Sequence, residues 1–271
     1  MEQELIDYKY ELERQNLALS TIQTYLRSAR QFVDFIDGQE VSKCLVREYS
    51  LFLEQRHYKA STINLNLIAI NKFLRFCHCE DCTIKVERLP LRQSLSHVLE
   101  PEDYHKLLKQ AKQSGREKYY FLMKTLAKTG IRISELSYIT VEACKEGVTQ
   151  VHNKGRFRDV YLPDGLIAEL REYCGREKIK SGSIFIGNKG TPVSRKAVWK
   201  MLKKIAAEAG VDECKVHPHA FRHYFSLSYM NQYGNIFELA DFLGHVNVET
   251  TRIYSKSTVE QKRKRLNTIG E

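Results

Sequence analysis

LGHVNVETTRIYSK, residues 243–256, sets a histidine and a tyrosine nine positions apart near the end of a 271-residue chain. By itself the stretch reads as a helix from about Val248, with Tyr254 a half-buried aromatic among fifteen tyrosines. Its company changes the question. Three upstream stretches each put basic groups where the sequence predicts a turn, a hairpin or a helix: TGIRISEL (129–136), HNKGRFRDVYLP (152–163) and HPHAFRHYFS (217–226).

Each stretch alone has a plain structural reading. Arg132 follows the Gly130 that ends one helix and stands beside Ser134 at the start of the next. A helix N-terminus already favours an anion, and a planar guanidinium adds a two-pronged phosphate contact. A surface arginine paired with Glu135 fits the same letters, and Glu135 is expected to orient Arg132 rather than react. Lys154 stands at a hairpin tip, where a lysine is either solvated or able to reach into a neighbouring groove. His219 and Arg222, three apart, share one helix face and can converge on one target. A helix with a surface arginine and a partly buried histidine would look alike.

Composition narrows the classes. The chain is long enough for one large domain or two modest ones with a real core. Its seven cysteines form an odd set without a secreted-scaffold pattern, and MEQELIDYKY carries no signal-like apolar run, so a reducing cytoplasm is expected. No apolar stretch approaches the ~18 residues of a membrane span. The formal net charge is +10, which points to a polyanionic partner. Residues 1–92 hold 13 basic and 13 acidic side chains, so the whole excess lies beyond residue 92. That second part is the stronger candidate for gripping phosphate.

The expected fold is mostly α with a small β-hairpin. In LSTIQTYLRSARQFVDFID, Ile22, Leu26, Ala29, Val33 and Ile36 recur at four-three spacing, and Ser20 with Gln23 predicts a capping box. STINLNLIAINKFLRFC repeats the spacing at Ile63, Leu67, Ile70 and Leu74, with Ser61 as the expected cap. LIDYKYELERQN and VREYSLFLEQR complete a small bundle over residues 1–85. Residues 86–97 lose periodicity and are expected as a linker; Pro101, Glu102 and Asp103 then predict a helix start in a second domain over 98–271. Helices are expected in YHKLLKQAK, YYFLMKTLAK, RKAVWKMLKKIAAEAG, PHAFRHYFSLSYMNQ and IFELADFLG, with a hairpin turning at Asn153-Lys154-Gly155. Trp199 is expected in the core. The neighbouring Arg195, Lys196, Lys200, Lys203 and Lys204 form either a phosphate-facing or a solvated side. FCHCEDC invites a zinc reading at Cys77, Cys79 and Cys82, but a structural site needs a second ligand pair that the sequence does not show. His217 and His223 are read as structural.

In their order, the four basic stretches resemble the catalytic signature of the tyrosine recombinase (phage integrase) family. The N-terminal bundle resembles its core-binding, SAM-like domain, so the likeness covers essentially the whole chain. By motif, Arg132 takes the place of the first catalytic arginine and Lys154 that of the hairpin lysine. His219 and Arg222 match the histidine and second arginine, His245 the histidine after Leu-Gly, and Tyr254 the nucleophile. Six positions of the expected type, in order across about 120 residues, outweigh the plain readings.

The resemblance implies a site-specific DNA recombinase that needs no metal or other cofactor. Arginines would clamp the non-bridging phosphate oxygens, Lys154 would protonate the leaving 5′ oxygen, and Tyr254 would form a 3′-phosphotyrosine link. His219 would assist as acid or base, and His245 would hydrogen-bond the phosphate. A free tyrosine near pKa 10 lies roughly 4 kcal/mol from full ionisation at pH 7, so neighbouring cations and a proton acceptor must close that gap. The implied partners are double-stranded DNA and three further protomers on two paired sites, with a paralogous recombinase an option and no membrane involved. With nothing ahead of the bundle, Xer-like or mobile-element enzymes are the expected relatives. Two alternatives stay open: a type IB topoisomerase that relaxes DNA, and a non-catalytic DNA-binding regulator. Asn153 replaces a glycine often found before the lysine, and Lys256 stands where a histidine is frequent. The basic tail after Tyr254 is expected to dock on a neighbouring protomer.

Overall fold

The computed structural model describes residues 2–87, 98–153, 155–187, 190–245, 247–255 and 267, with the side chains of Asn153 and Arg156 left out. Most of the expected linker, Lys154, Lys256 and nearly all of the basic tail lie outside the described residues. The chain divides into two compact units, Met1–Leu91 and Arg92–Glu271.

The first unit is built from α1 (Glu2–Arg14), α2 (Leu19–Ile36), α3 (Lys43–Gln55) and α4 (Ala60–Phe76). The four-three stripe of α2 turns inward as its spacing demands, with Ile22, Ala29 and Ile36 buried. Its start is not the expected capping box. Ser20 lies inside the helix, and the N-cap is Ala18 without a side-chain bond. Leu17 and Ile22, just before the cap and four residues into the helix, belong to one apolar cluster, so a hydrophobic staple sets the entry. Ser61 likewise sits inside α4. There the first turn closes on the carbonyl of Lys59, which accepts from Thr62 N at 2.7 Å and Ile63 N at 3.0 Å. The chain beyond α4 is stitched back by Asn71, whose Nδ2 donates to Ile84 O (2.7 Å) while its Oδ1 accepts from Ile84 N (3.1 Å). Cys77, Cys79 and Cys82 are free thiols; the Sγ atoms of Cys79 and Cys82 donate to the carbonyls of Cys77 and Val41.

In the second unit α5 (Pro101–Gln113) begins at the predicted proline, and α6 (Glu117–Thr129) buries residues on nearly every side. A six-residue 3₁₀ turn, Ile133–Tyr138, and the short α7 (Val141–Glu146) lead into an antiparallel hairpin of β1 (Val148–Asn153) and β2 (Arg156–Tyr161). Its register pairs Val151 with Arg158, and Val151 and Val160 are buried. There follow α8 (Asp164–Arg176), α9 (Arg195–Glu208), α10 (Pro218–Gln232) and α11 (Ile236–Leu243). The sequence reading passed over α8, although Leu166, Ile167, Leu170, Tyr173 and Cys174 fill its buried face at helical spacing.

Trp199 and the mount of Tyr254 depart from expectation in this unit. Trp199 is 52% exposed rather than in the core, because the buried stripe of α9 runs through Val198, Leu202, Ile205 and Ala206, and Trp199 stands one position off it. Lys203 Nζ lies 5.3 Å from the indole centre, a cation–π contact in place of burial. The mount of Tyr254 is also not a helix from Val248. It consists of two single 3₁₀ turns, Val248–Thr250 and Arg252–Tyr254. Among the described residues no helix is long and apolar enough to cross a membrane.

Candidate active site

Two glycine-capped helix ends prepare the site. Gly130 ends α6 at φ +61°, where an added Cβ would collide with the ring of Phe225 from α10. Gly244 ends α11 at φ +60°, where a Cβ would run into Cδ of Arg158. Both positions demand glycine twice over, for backbone conformation and for close approach. The helix ends they create present carbonyls to a single guanidinium: Arg222 Nη1 donates to Gly130 O at 2.6 Å, and Nη2 donates to Leu243 O.

Arg222 is only 1% exposed, yet two helix C-terminal carbonyls rather than a carboxylate hold it. The partial negative charge at a helix C-terminus compensates a cation without neutralising it. Burial and the neighbouring Arg132 and Arg158 push its pKa down to about 9, so it is still a cation at neutral pH. Its Nε has no hydrogen-bond partner among the described residues, and neither have Nε and Nη1 of Arg158. Three buried guanidinium donors left empty are costly unless an anion completes them.

His245 lies 3.2 Å from Arg222 through Nε2, and its Nδ1 lies 2.8 Å from Thr251 Oγ1. Because a guanidinium only donates, Nε2 accepts, so Nδ1 carries the proton and donates to Thr251. His219 occupies the first turn of α10, one helical turn before His223, with ring centres 4.3 Å apart. All three histidines are held neutral near pKa 4. Burial is the main cause for each, followed by the positive potential of Arg222 for His219 and His245 and by His219 for His223.

Arg132 forms the base of the site differently from expectation. It does not stand before an α-helix; it is the N-cap of the short 3₁₀ turn, clasped by Glu135, which accepts from Arg132 N and from Nη1, both at 3.0 Å. The Glu135 carboxylate is buried and accepts a third bond from Arg158 Nη2 at 2.7 Å. The expected orienting role of Glu135 therefore extends to a second arginine that sequence reasoning missed. A signal was available, since β-alternation places Arg158 on the same face as Val160, where a strand normally buries an apolar side chain. Arg132, Glu135, Phe157, Arg158, Gly244 and His245 line one cleft of about 830 Å³.

Tyr254 is 7% exposed, packed with Leu239 and Leu243 of α11. Burial raises its pKa, opposed by a hydrogen bond from Ser226 and by the charge of Arg222. Its hydroxyl lies 2.6 Å from Nδ1 of His223, a residue the sequence reading set aside. Residues one apart on a helix do not share a face, so spacing along α10 gives no sign that His223 joins Arg222 at the site. His217, the other histidine set aside, caps α10: its Nδ1 accepts from Ala220 N at 3.1 Å. Thus Arg132, His219, Arg222, His245 and Tyr254 are gathered within one unit by α6, α10, α11 and the turns after it, while Lys154 lies outside the described residues.

Known proteins resemble this chain in sequence and in fold. The pattern of the phage integrase family matches residues 97–261, and that of the phage integrase N-terminal SAM-like domain matches residues 5–80. A tyrosine recombinase XerC of Roseiflexus sp. is 26% identical over 268 residues, covering 90% of this chain and 85% of the relative. A tyrosine recombinase XerD of Staphylococcus saprophyticus is 28% identical over 280 residues, covering 93% and 92%. In fold, the chain resembles the Tn1549 transposon integrase solved with transposon right end DNA (TM-score 0.77, 17% identity, 99% of each chain). It also resembles the XerH site-specific recombinase bound to its difH substrate (TM-score 0.74, 19% identity, 97% of this chain and 84% of that one). A match over more than half of its length, in the unit that carries the site, places the chain in the phage integrase family.

Proposed function

We propose that this protein is a site-specific DNA recombinase that cuts and rejoins strands through a 3′-phosphotyrosine link at Tyr254. The observation that carries the reading is the set of partnerless buried guanidinium donors on Arg158 and Arg222, in the unit that also buries a tyrosine hydroxyl beside a neutral imidazole. A phosphodiester supplies the missing anion. Arg222 and Arg132 bind its non-bridging oxygens and stabilise the charge that develops as Tyr254 attacks; loss of either is expected to slow cleavage by about a hundredfold or more. His245, now accepting from Arg222, donates to the phosphate once its proton moves to Nε2. His219 assists in placing the phosphate, and Lys154 protonates the departing 5′ oxygen. The phosphotyrosine bond conserves the energy of the broken linkage, so religation needs no nucleotide cofactor.

Double-stranded DNA is the substrate, four protomers act on two paired sites, and the cytoplasm is the place of action. The first domain (1–85) supports the second (98–271) on the duplex across a linker at 86–97. Footprinting on the DNA flanking the gene locates the site, and a duplex nicked beside the scissile phosphate then tests the chemistry. A covalent protein–DNA adduct is expected from the wild type and none from Tyr254→Phe; an adduct from the variant overturns the reading. On a two-site substrate, joined recombinant products are expected, whereas relaxation alone would assign the chain to DNA relaxation instead.

A further inference from the structure

The resemblance casts His219 as acid or base, but the imidazole bonded to the Tyr254 hydroxyl is that of His223. Tyr254 must shed its phenolic proton as it attacks, and the site raises rather than lowers the pKa of that phenol because the ring is buried. Cations alone do not close the gap of roughly 4 kcal/mol between a neutral tyrosine and a phenolate at pH 7. An acceptor in contact with the hydroxyl is needed.

Among the described residues, two side chains meet the Tyr254 hydroxyl. Ser226 lies against it, but the Ser226 hydroxyl also bonds Arg222 O at 2.8 Å, and a serine is far too weak a base to keep a proton. His223 Nδ1 is the other, at 2.6 Å. Resting on the reading of Tyr254 as nucleophile, we propose that His223 is a further catalytic residue, the base that accepts the Tyr254 proton during attack and returns it during religation. In the step, the Oη–H bond breaks and its proton passes to Nδ1. The oxygen lone pair forms the Oη–P bond, the P–O5′ bond breaks, and the 5′ oxygen takes a proton from Lys154.

Three features of the surroundings fit that role. First, the imidazole is neutral at working pH, because burial, and then the crowding of His219, His217, Arg222 and His245 around it, disfavour its charged form. Its lone pair is therefore available. Second, the residue sits mid-way along α10, a rigid mount packed on the core, directly after Arg222; the helix fixes the base and the phosphate-binding arginine together. Third, the imidazolium formed on proton transfer stands close to the new phosphotyrosine, whose negative charge favours it while religation is awaited.

The test uses the full-length protein on the nicked duplex in single-turnover mode, comparing wild type, His223→Gln and His223→Ala, with thermal unfolding and DNA binding as controls for folding. General-base catalysis predicts a loss of about 10²–10⁴-fold in adduct formation for both variants. Glutamine accepts a hydrogen bond but holds no proton, so it should not rescue the rate. The rates of both variants should climb about tenfold per pH unit through neutral and mildly alkaline pH as the phenol ionises by itself. A duplex with sulfur in place of the leaving 5′ oxygen, which departs without a proton, should leave the His223 deficit intact. Rescue by glutamine, a variant deficit independent of pH, or recovery on the sulfur substrate would each overturn the assignment. If the wild type itself forms no adduct, the failure belongs to the recombinase reading rather than to His223.

Discussion

The two units bury polar groups for different purposes. In the first, the polar side chains inside the core are uncharged: Ser28, Asn66 and Asn71. They serve the backbone; Asn66 donates to Thr62 O at 2.9 Å, and Asn71 pins the chain at Ile84. In the second, a full carboxylate (Glu135) and a full guanidinium (Arg222) are buried, and arginine donors there stay empty. The groups left empty differ in kind as well: among the described residues of the first unit they are the neutral hydroxyls of Tyr8 and Tyr49, whereas in the second they include guanidinium donors that an anion completes. Burial of charge thus marks the chemistry more sharply than the amount of charge does.

The contrast can be broken in order of expected effect. Glu135→Ala leaves Arg158 and Arg132 without the carboxylate between them, and removing one partner of a buried ion pair is expected to destabilise the second unit by about 3–5 kcal/mol. Fluorescence of Trp199, the one tryptophan of the chain, follows that unit's unfolding in the intact protein. Arg222→Met should do the reverse of a core mutation. Cleavage falls about 10²–10³-fold, while removal of a buried cation with an empty donor offsets the two carbonyls, Gly130 O and Leu243 O, that the substitution leaves unpaired, so the melting temperature changes little. A melting temperature that falls sharply would show Arg222 to be a structural element like those of the first unit. Asn71→Ala is the mirror experiment: it leaves Ile84 N and O unpaired, destabilises by about 1–3 kcal/mol, and is expected to leave the single-turnover cleavage rate unchanged.

Acid gives the gentlest test. His219, His223 and His245 have folded pKa values near 4 against 6.5 in the unfolded chain. Below pH 6.5 the unfolded state takes up protons that the fold refuses, so stability is full above 6.5 and is lost as pH drops toward 4. Bound DNA should reduce that loss, because phosphate favours the protonated rings. Melting curves of free and DNA-bound protein over pH 4–7 check both statements.

Much of this was legible in the letters. Helical periodicity found the bundle, and helix α10 was expected with its observed bounds; five of the six motif-matched residues fall on the elements and turns that form one site. What failed shares one cause. Caps at Ser20 and Ser61 lost to packing and turn geometry, Trp199 lost to a stripe one position away, and the tyrosine's mount shrank to 3₁₀ turns. Each was decided by tertiary neighbours that spacing along the chain does not encode. His223 was missed for the converse reason: it sits at an ordinary helix position and acquires its meaning from a residue 31 positions away, while Arg158, whose strand face gave a hint, is explained by a carboxylate 23 positions away.

The way Arg222 is held has a consequence for how the protein responds to ionic strength. Mobile ions screen exposed charges within about 8 Å at physiological salt, but they do not enter the space around a guanidinium that is 1% exposed. Exposed lysines, such as Lys200 and Lys204 on α9, lie within that screening, and any phosphate contact they make is one for which mobile ions compete. Added salt should therefore strip the protein from DNA steeply, as counterion release demands. The rate at which already bound complexes react should hardly change, so that salt sets how many sites are occupied and the buried arginine sets how fast each one is cut.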